Sequence, residues 1–371
     1  MPILKQGWRT PRRRRPAGVE SGCPGAPAPS IWQVAGTGVL LCFLWLTLAG
    51  CTGDGEAEAS VASDDQAAAQ SAAQTGAQTP AGPPAAAPPA SDARDVDTHT
   101  HHPESEEDWA VAAQRVGWGV EEGLHELAMG EAVVRMAASF VGTPYEPGTL
   151  ELPGQERLVV HLQAFDCVTL IEHVLVLTRL VREAQGQDPS AQPDFRDRYR
   201  EELIRIRYRD GRLDGYLSRL HYFTEWLDQG IATGALTDVT QELGGVVDDR
   251  PIHFMSSNPD AYRQLAEDPT LVEAIQAHEV RLSQGTRHFI PQDRIREVEE
   301  GIQDGDIIAA VSRLEGLDIA HTGFAIHQDG RLHLLHAPLV GDSVEITERP
   351  LAERLQGISA QVGIRVVRPN H

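Results

Sequence analysis

Between Thr52 and Asp108 the chain contains no aromatic residue and no Leu, Ile or Met, and it is rich in Ala, Pro, Gln, Ser and Asp. Such a stretch cannot bury enough apolar area to offset the entropy of ordering it. Residues 51–108 should therefore be a disordered tether, which as a flexible coil reaches about 40 Å. Whatever folds must be built from residues 109–371.

The tether follows an uncharged apolar run, Ile31 to Gly50, preceded by Arg12 to Arg15. That pattern suits a secretory signal or a membrane span. Its end, Leu48-Ala49-Gly50-Cys51, resembles the lipobox of bacterial lipoproteins. The resemblance implies a signal peptide over residues 1–50, cut before Cys51, which is then lipidated. The mature protein would sit in the bacterial cell envelope, lipid-anchored and facing the periplasm or the outer surface. Cys23 and Cys42 lie in the same leader, so Cys167 is the one cysteine of the globular part and no disulfide framework exists. A formal charge of −22 repels phosphate backbones, so nucleic acid is not an expected partner.

Beyond residue 109 helical periodicity comes first. Glu131 to Val141 has helical spacing and stops at the Gly142-Thr143-Pro144-Tyr145 turn. Asp166 to Val181 is apolar on most sides and predicts a buried central helix, with Asp166 as N-cap and Cys167 as the first helical residue. Leu203 to Gly230 and Asp260 to Leu282 read as further helices. The period then changes: Ile307 to Ser312, Ile319 to His327, Arg331 to His336, Ser343 to Thr347 and Gly363 to Val367 are short, β-rich segments divided by Gly-Asp, Asp-Gly and Pro signals. Helices followed by an antiparallel sheet predict an α+β fold.

A thiol on the first turn of a helix feels the positive end of the macrodipole, which favours thiolate and places amides where an oxyanion would form. A base is found 154 residues on, at His321. Alternation sends His321, Gly323 and Ala325 to one face of a strand, and such small neighbours leave room for a helix to approach. If Asp329-Gly330 is a two-residue type I′ turn, Gln328 pairs with Arg331 and His336 lies opposite Gly323, on the face of His321. His333 falls on the other face. Cysteine, histidine and a second orienting residue form the set that nucleophilic acyl transfer needs.

These segments, DCVTLIEHV, GLDIAHTGFAI and LHLLHAP, resemble the NlpC-type branch of papain-like cell-wall hydrolases. The match is closer to one subfamily, long known only as a domain of unknown function and associated with N-acetylmuramoyl-L-alanine amidase activity. Its features appear as FVGTPYEPGTLE, LVVHLQAFDCVTLIEHV, SRLHYFTEW, PIHFMSSNP and DGDIIAAVSRLEGLDIAHTGFAI. The resemblance implies a papain-like fold over residues 109–371, with a long helical insert between the cysteine helix and the sheet. It implies Cys167 as nucleophile, His321 as base and His336 as third residue. Peptidoglycan fragments or muropeptides become the expected partners, attacked at the N-acetylmuramoyl-L-alanine amide through a thioester. Alternatives are a stem-peptide endopeptidase of the same fold and a non-catalytic cell-wall-binding lipoprotein. His161 departs from the pattern, standing where an asparagine-like residue is expected. No H-E-x-x-H motif occurs, and neither a metal nor another cofactor is called for.

Five residues are candidates for substrate binding. Arg219, His221 and Tyr222 combine a guanidinium, an imidazole and a phenol, and Arg219 offers an otherwise acidic chain a cation for a peptide carboxylate. Tyr145 sits in a fixed turn, and Asp166 adjoins the thiol. For the leader, Cys51→Ala should abolish lipid labelling and processing in cells. A mature N-terminus at Met1, measured by mass spectrometry, would refute the lipoprotein expectation.

Overall fold

The computed structural model describes residues 103–339 and 342–370. The signal segment, Cys51 and the tether as far as residue 102 lie outside the described residues. Among the described residues no helix is long and apolar enough to cross a membrane.

The packed chain starts before Trp109. Ser105 and Asp108 form a reciprocal capping box on α1 (Glu106–Glu121), and the Leu162 amide donates to Asp108 at 2.8 Å. Residues 103–108 read as tether because they hold no large apolar side chain. Polar contacts, rather than apolar burial, hold them.

α2 (Met129–Ala138), α3 (Cys167–Glu183) and α4 (Phe195–Arg207) follow, and α3 packs against α1, α2 and α4 on one side and the sheet on the other. Leu170, Ile171, Val174 and Leu177 are fully enclosed, each contributing about 1.5–3 kcal/mol. The polar side chains of α3 find partners on α4. Glu172 pairs with Arg207 at 2.7 Å, His173 Nδ1 meets the Tyr199 hydroxyl at 2.6 Å, and Arg179 pairs with Glu202 at 2.6 Å. Separating any of these would strand a charge or polar atom in the core, so they set how the two helices lie.

The chain then runs through an insert containing α5 (Phe223–Ala232), α6 (Phe254–Ser257), α7 (Arg263–Glu267) and α8 (Pro269–Ser283). The insert has its own small core, including Tyr216, Tyr222, Met255 and Ile275. It also carries three strands that its sequence reads as helix or loop: β1 (Leu236–Asp238), β2 (Val246–Asp248) and β3 (Arg287–Pro291). Val246 and Val247 are exposed, so no alternation marked β2.

These strands join β4 (Ile307–Ser312), β5 (Ile319–Gln328), β6 (Arg331–His336), β7 (Glu345–Ile346) and β8 (Gln361–Pro369) in one antiparallel sheet. The order is β2-β3-β8-β4-β5-β6-β7, with β1 also on β8. Helices followed by this sheet make the α+β fold the periodicity predicts. α9 (Ile295–Val298) and α10 (Leu351–Gln356) lie across the sheet from α3.

Asp329 and Gly330 both have positive φ, 51° and 77°, as a type I′ turn requires. Gln328 pairs with Arg331 and the ladder continues to Phe324 opposite Leu335. Phe324, Leu335 and Ile307 face α3, while Ala325, Leu334 and Ile308 face α10. The helix that the small residues of β5 admit is therefore α10, and α3 lies on the opposite face. Gly323 is needed for a second reason: a Cβ there would stand 2.7 Å from the Leu335 carbonyl oxygen and 2.9 Å from His336 Cβ. Gly323→Ala should cost about 1–3 kcal/mol and lower the thermal unfolding midpoint by several degrees. An unchanged midpoint would refute this packing.

Candidate active site

The N-terminus of α3 and the first residues of β5 meet at a cavity of about 260 Å³. Cys167 and His321 both line it. Asp166 has extended backbone geometry and caps α3, its Oδ1 accepting from the Val168 amide at 3.0 Å, the Thr169 amide at 2.7 Å and the Thr169 hydroxyl at 2.9 Å. Cys167 is consequently the first helical residue. The cap also has a chemical effect, because it occupies two of the amides that an oxyanion would use. The amide of Cys167 itself is outside that cap.

In the β5–β6 ladder, even-numbered residues of β5 direct their N–H groups toward β6. β6 ends at His336, one residue short of a partner for Thr322. The Thr322 amide instead faces the Cys167 sulfur and favours its thiolate. Burial and the Asp166 carboxylate act more strongly the other way, and together they push the thiol up to about 12. The helix terminus alone predicts an activated thiolate; the enclosed site reverses that balance.

His321 Nε2 and His336 Nδ1 are 2.6 Å apart, with the rings at 84°. One of the two nitrogens donates, and His321 Nδ1 remains for other use. Burial, then His336 and Arg354, lower His321 well below the usual imidazole range. Burial and Arg354 lower His336 to about 3. Near neutral pH the site therefore holds a neutral thiol and two neutral imidazoles. His333 lies on the other face, its Nδ1 bonded to the Thr347 carbonyl at 2.7 Å.

All five substrate-binding candidates line the cavity. Their polar ends differ from expectation. The Arg219 guanidinium, 4% exposed, faces Glu151 at 2.6 Å and Glu156 at 3.5 Å and donates to the Leu150 carbonyl. Glu151 compensates the cation, while burial raises the Glu156 carboxyl above its usual range, so Arg219 ties the 150–156 loop to the insert and offers no uncompensated charge. Tyr222 donates to Glu279 at 2.6 Å and accepts from the Met255 amide at 2.8 Å, leaving its ring to form wall. His221 Nε2 donates to the Tyr216 carbonyl at 2.8 Å, and burial together with Arg219 keeps the ring neutral. The Tyr145 amide donates to the Asp342 carbonyl, which fixes the rim.

Asp318, which reads from sequence as a turn acid, is 8% exposed in the cavity wall and accepts from the Thr224 amide at 2.7 Å. It caps α5 from the strand side, and burial raises its carboxyl above the usual range. No sequence signal connects residues 94 positions apart. His161 lies between Asp108 and Glu146, at 3.5 and 3.3 Å, and those acids raise its basicity. Among the described residues no cluster of three His, Cys, Asp or Glu side chains is placed to hold a metal ion.

Residues 135–363 match a family model described as AmiA-like, N-acetylmuramoyl-L-alanine amidase-like. A solved N-acetylmuramoyl-L-alanine amidase from Bacteroides uniformis ATCC 8492 is 34% identical, with a TM-score of 0.60 over 66% of this chain and 99% of that one. A Bacteroides fragilis protein provisionally named a xylanase is 35% identical, with a TM-score of 0.58 over 62% and 98% of the two chains. A Legionella pneumophila protein, 19% identical with a TM-score of 0.52 over 72% and 97%, shares the fold. None of the curated proteins matches the chain. Because the family match spans more than half of its residues and contains Cys167, His321 and His336, this chain belongs to the N-acetylmuramoyl-L-alanine amidase-like family.

Proposed function

We propose that the protein is a cysteine-dependent muropeptide amidase of papain-like, NlpC-type arrangement, cutting the amide between the muramic-acid lactyl group and L-alanine. The observation that carries this reading is the placement of Cys167, on the first turn of α3, in one cavity with a His321–His336 hydrogen-bonded pair. Family membership supplies the bond class.

His321 Nδ1 takes the thiol proton as Sγ attacks the lactyl carbonyl carbon. The neutral resting pair makes this transfer part of the attack, because no ion pair is formed beforehand. The Cys167, Val168 and Thr322 amides favour negative charge at the sulfur, and since Asp166 also takes the Val168 amide, those of Cys167 and Thr322 are the donors offered to the developing oxyanion. Collapse breaks the C–N bond, and His321 returns the proton to the departing L-Ala nitrogen. The stem peptide leaves with a free amine, and the sugar remains as a thioester. Water, deprotonated by His321, then releases the muramic carboxylate and restores the thiol. The insert lines the cavity with Arg219, Tyr222, Met255 and Tyr262, a wall that suits a small muropeptide better than polymeric wall. The Leu48 to Cys51 motif supports a lipid-anchored envelope location for this activity.

Cys167→Ala and His321→Ala should each reduce turnover by several orders of magnitude, His336→Ala less, and His333→Ala little. A severe His333 effect beside a mild His336 effect would contradict the site. With a defined muramyl-tetrapeptide, mass spectrometry should find intact tetrapeptide and free muramyl sugar. A muramyl-dipeptide product would instead assign an endopeptidase. Activity should be lost to a thiol alkylator and kept in a chelator.

The raised thiol makes a separate prediction. Deprotonated thiol is the alkylated form, so iodoacetamide should modify resting Cys167 slowly at neutral pH and steadily faster as pH rises, without a plateau below about pH 9. A fast plateau between about pH 5 and 8 would indicate a preformed thiolate–imidazolium pair.

A further inference from the structure

His336 is wholly buried, and His321 occupies its Nδ1. Its Nε2 has no hydrogen-bond partner among the described residues. An enclosed imidazole nitrogen in that position normally has one. The strand pairing brings a single carboxylate to it: His336 lies opposite Glu345 in the β6–β7 ladder, and Glu345 Oε1 stands 3.6 Å from His336 Nε2. The Glu345 side chain is 42% exposed, so it can close the remaining distance without disturbing the core. Catalytic hydrogen bonds are commonly this long before substrate binds.

We propose that Glu345 is a positioning residue that sets the tautomers of the histidine pair, an inference that rests on the reading of Cys167 and His321 given above. When Glu345 accepts from His336 Nε2–H, His336 Nδ1 is left as an acceptor. His321 must then donate through Nε2–H, and its Nδ1 carries the lone pair that receives the thiol proton. Without the carboxylate, His336 can hold its proton on Nδ1 and donate to His321 Nε2. His321 then carries its own proton on Nδ1 and has no base to offer. Arg354, from α10, is the cation near both imidazoles and Glu345. Burial first, and Arg354 with it, keep the rings neutral, so the carboxylate orients His336 without charging it.

The test compares the wild type with Glu345→Gln, Glu345→Leu and Cys167→Ala on a defined muramyl-tetrapeptide. Gln presents a carbonyl oxygen to the same N–H, whereas Leu presents none. Glu345→Leu should lower kcat by about tenfold or more, as loss of an orienting partner does, with KM unchanged. Glu345→Gln should recover most of that loss. Nitrogen-15 spectra of the histidine rings should show the His336 proton on Nε2 in the wild type and moved in Glu345→Leu. Wild-type kcat in Glu345→Leu, equal losses in Leu and Gln, or a loss confined to KM would each overturn the proposal. Full activity in Cys167→Ala would overturn the site reading and this inference together. An inactive Cys167→Ala beside a fully active Glu345→Leu would overturn this inference alone.

Discussion

The site depends on the register of one hairpin, and that register depends on two residues able to adopt positive φ, Asp329 and Gly330. A two-residue loop fixes the sum of paired positions, so His336 comes to Gly323 and leans toward His321. One extra residue in the loop would bring His333 to that face and send His336 into the α3 core. Gly323 completes the arrangement, since any side chain there would occupy the space through which His336 reaches its partner. β6 ends one residue short of a partner for Thr322 and leaves that amide to face the thiol.

Around this register the protein sets two electrostatic effects against each other. Amides of the helix start and the single strand amide of Thr322 favour thiolate at Cys167, while burial and the neighbouring Asp166 favour thiol. Burial wins. It also wins at His321 and His336, where it removes the proton instead of retaining one. Desolvation penalises whichever form is charged, so the same enclosure moves an acid up and a base down, and a neutral pair results. In the proposed mechanism, geometry rather than stored charge readies the thiol.

The remaining walls show acids and bases used as structural ties. Arg219 is held by Glu151 and Glu156, Tyr222 by Glu279 and the Met255 amide, and α5 by Asp318. The Arg219 and Asp318 ties join the insert to segments distant in sequence, the Tyr222 tie joins two parts of the insert, and each turns the polar end of a side chain into the wall. The cavity surface near Arg219 consequently presents a paired cation, although a reading of residue types would place a free one there.

Much of this was legible before any coordinates. Helical spacing around Asp166, with an acid ahead of an apolar run, placed Cys167 at a helix start. Alternation and a two-residue turn placed His321 beside His336. Local rules act over a few residues, and these features need nothing more. Other features exceed the reach of such rules. β2 is short and exposed, so no period announced it. Residues 103–108 are held by a cap and by the Leu162 amide rather than by apolar side chains. The neutral state of the thiol depends on how completely the site is enclosed, and the partners of Arg219 and Asp318 arrive from up to 94 residues away. Glu345 comes opposite His336 across a connection too long for a two-residue turn to fix its register. Sequence alone determined that Cys167 stands at a helix start and that His321 and His336 share a face, because those follow from backbone period and turn geometry. Tertiary structure decided their charge and their partners, because desolvation and ion pairing depend on every segment that folds back against them.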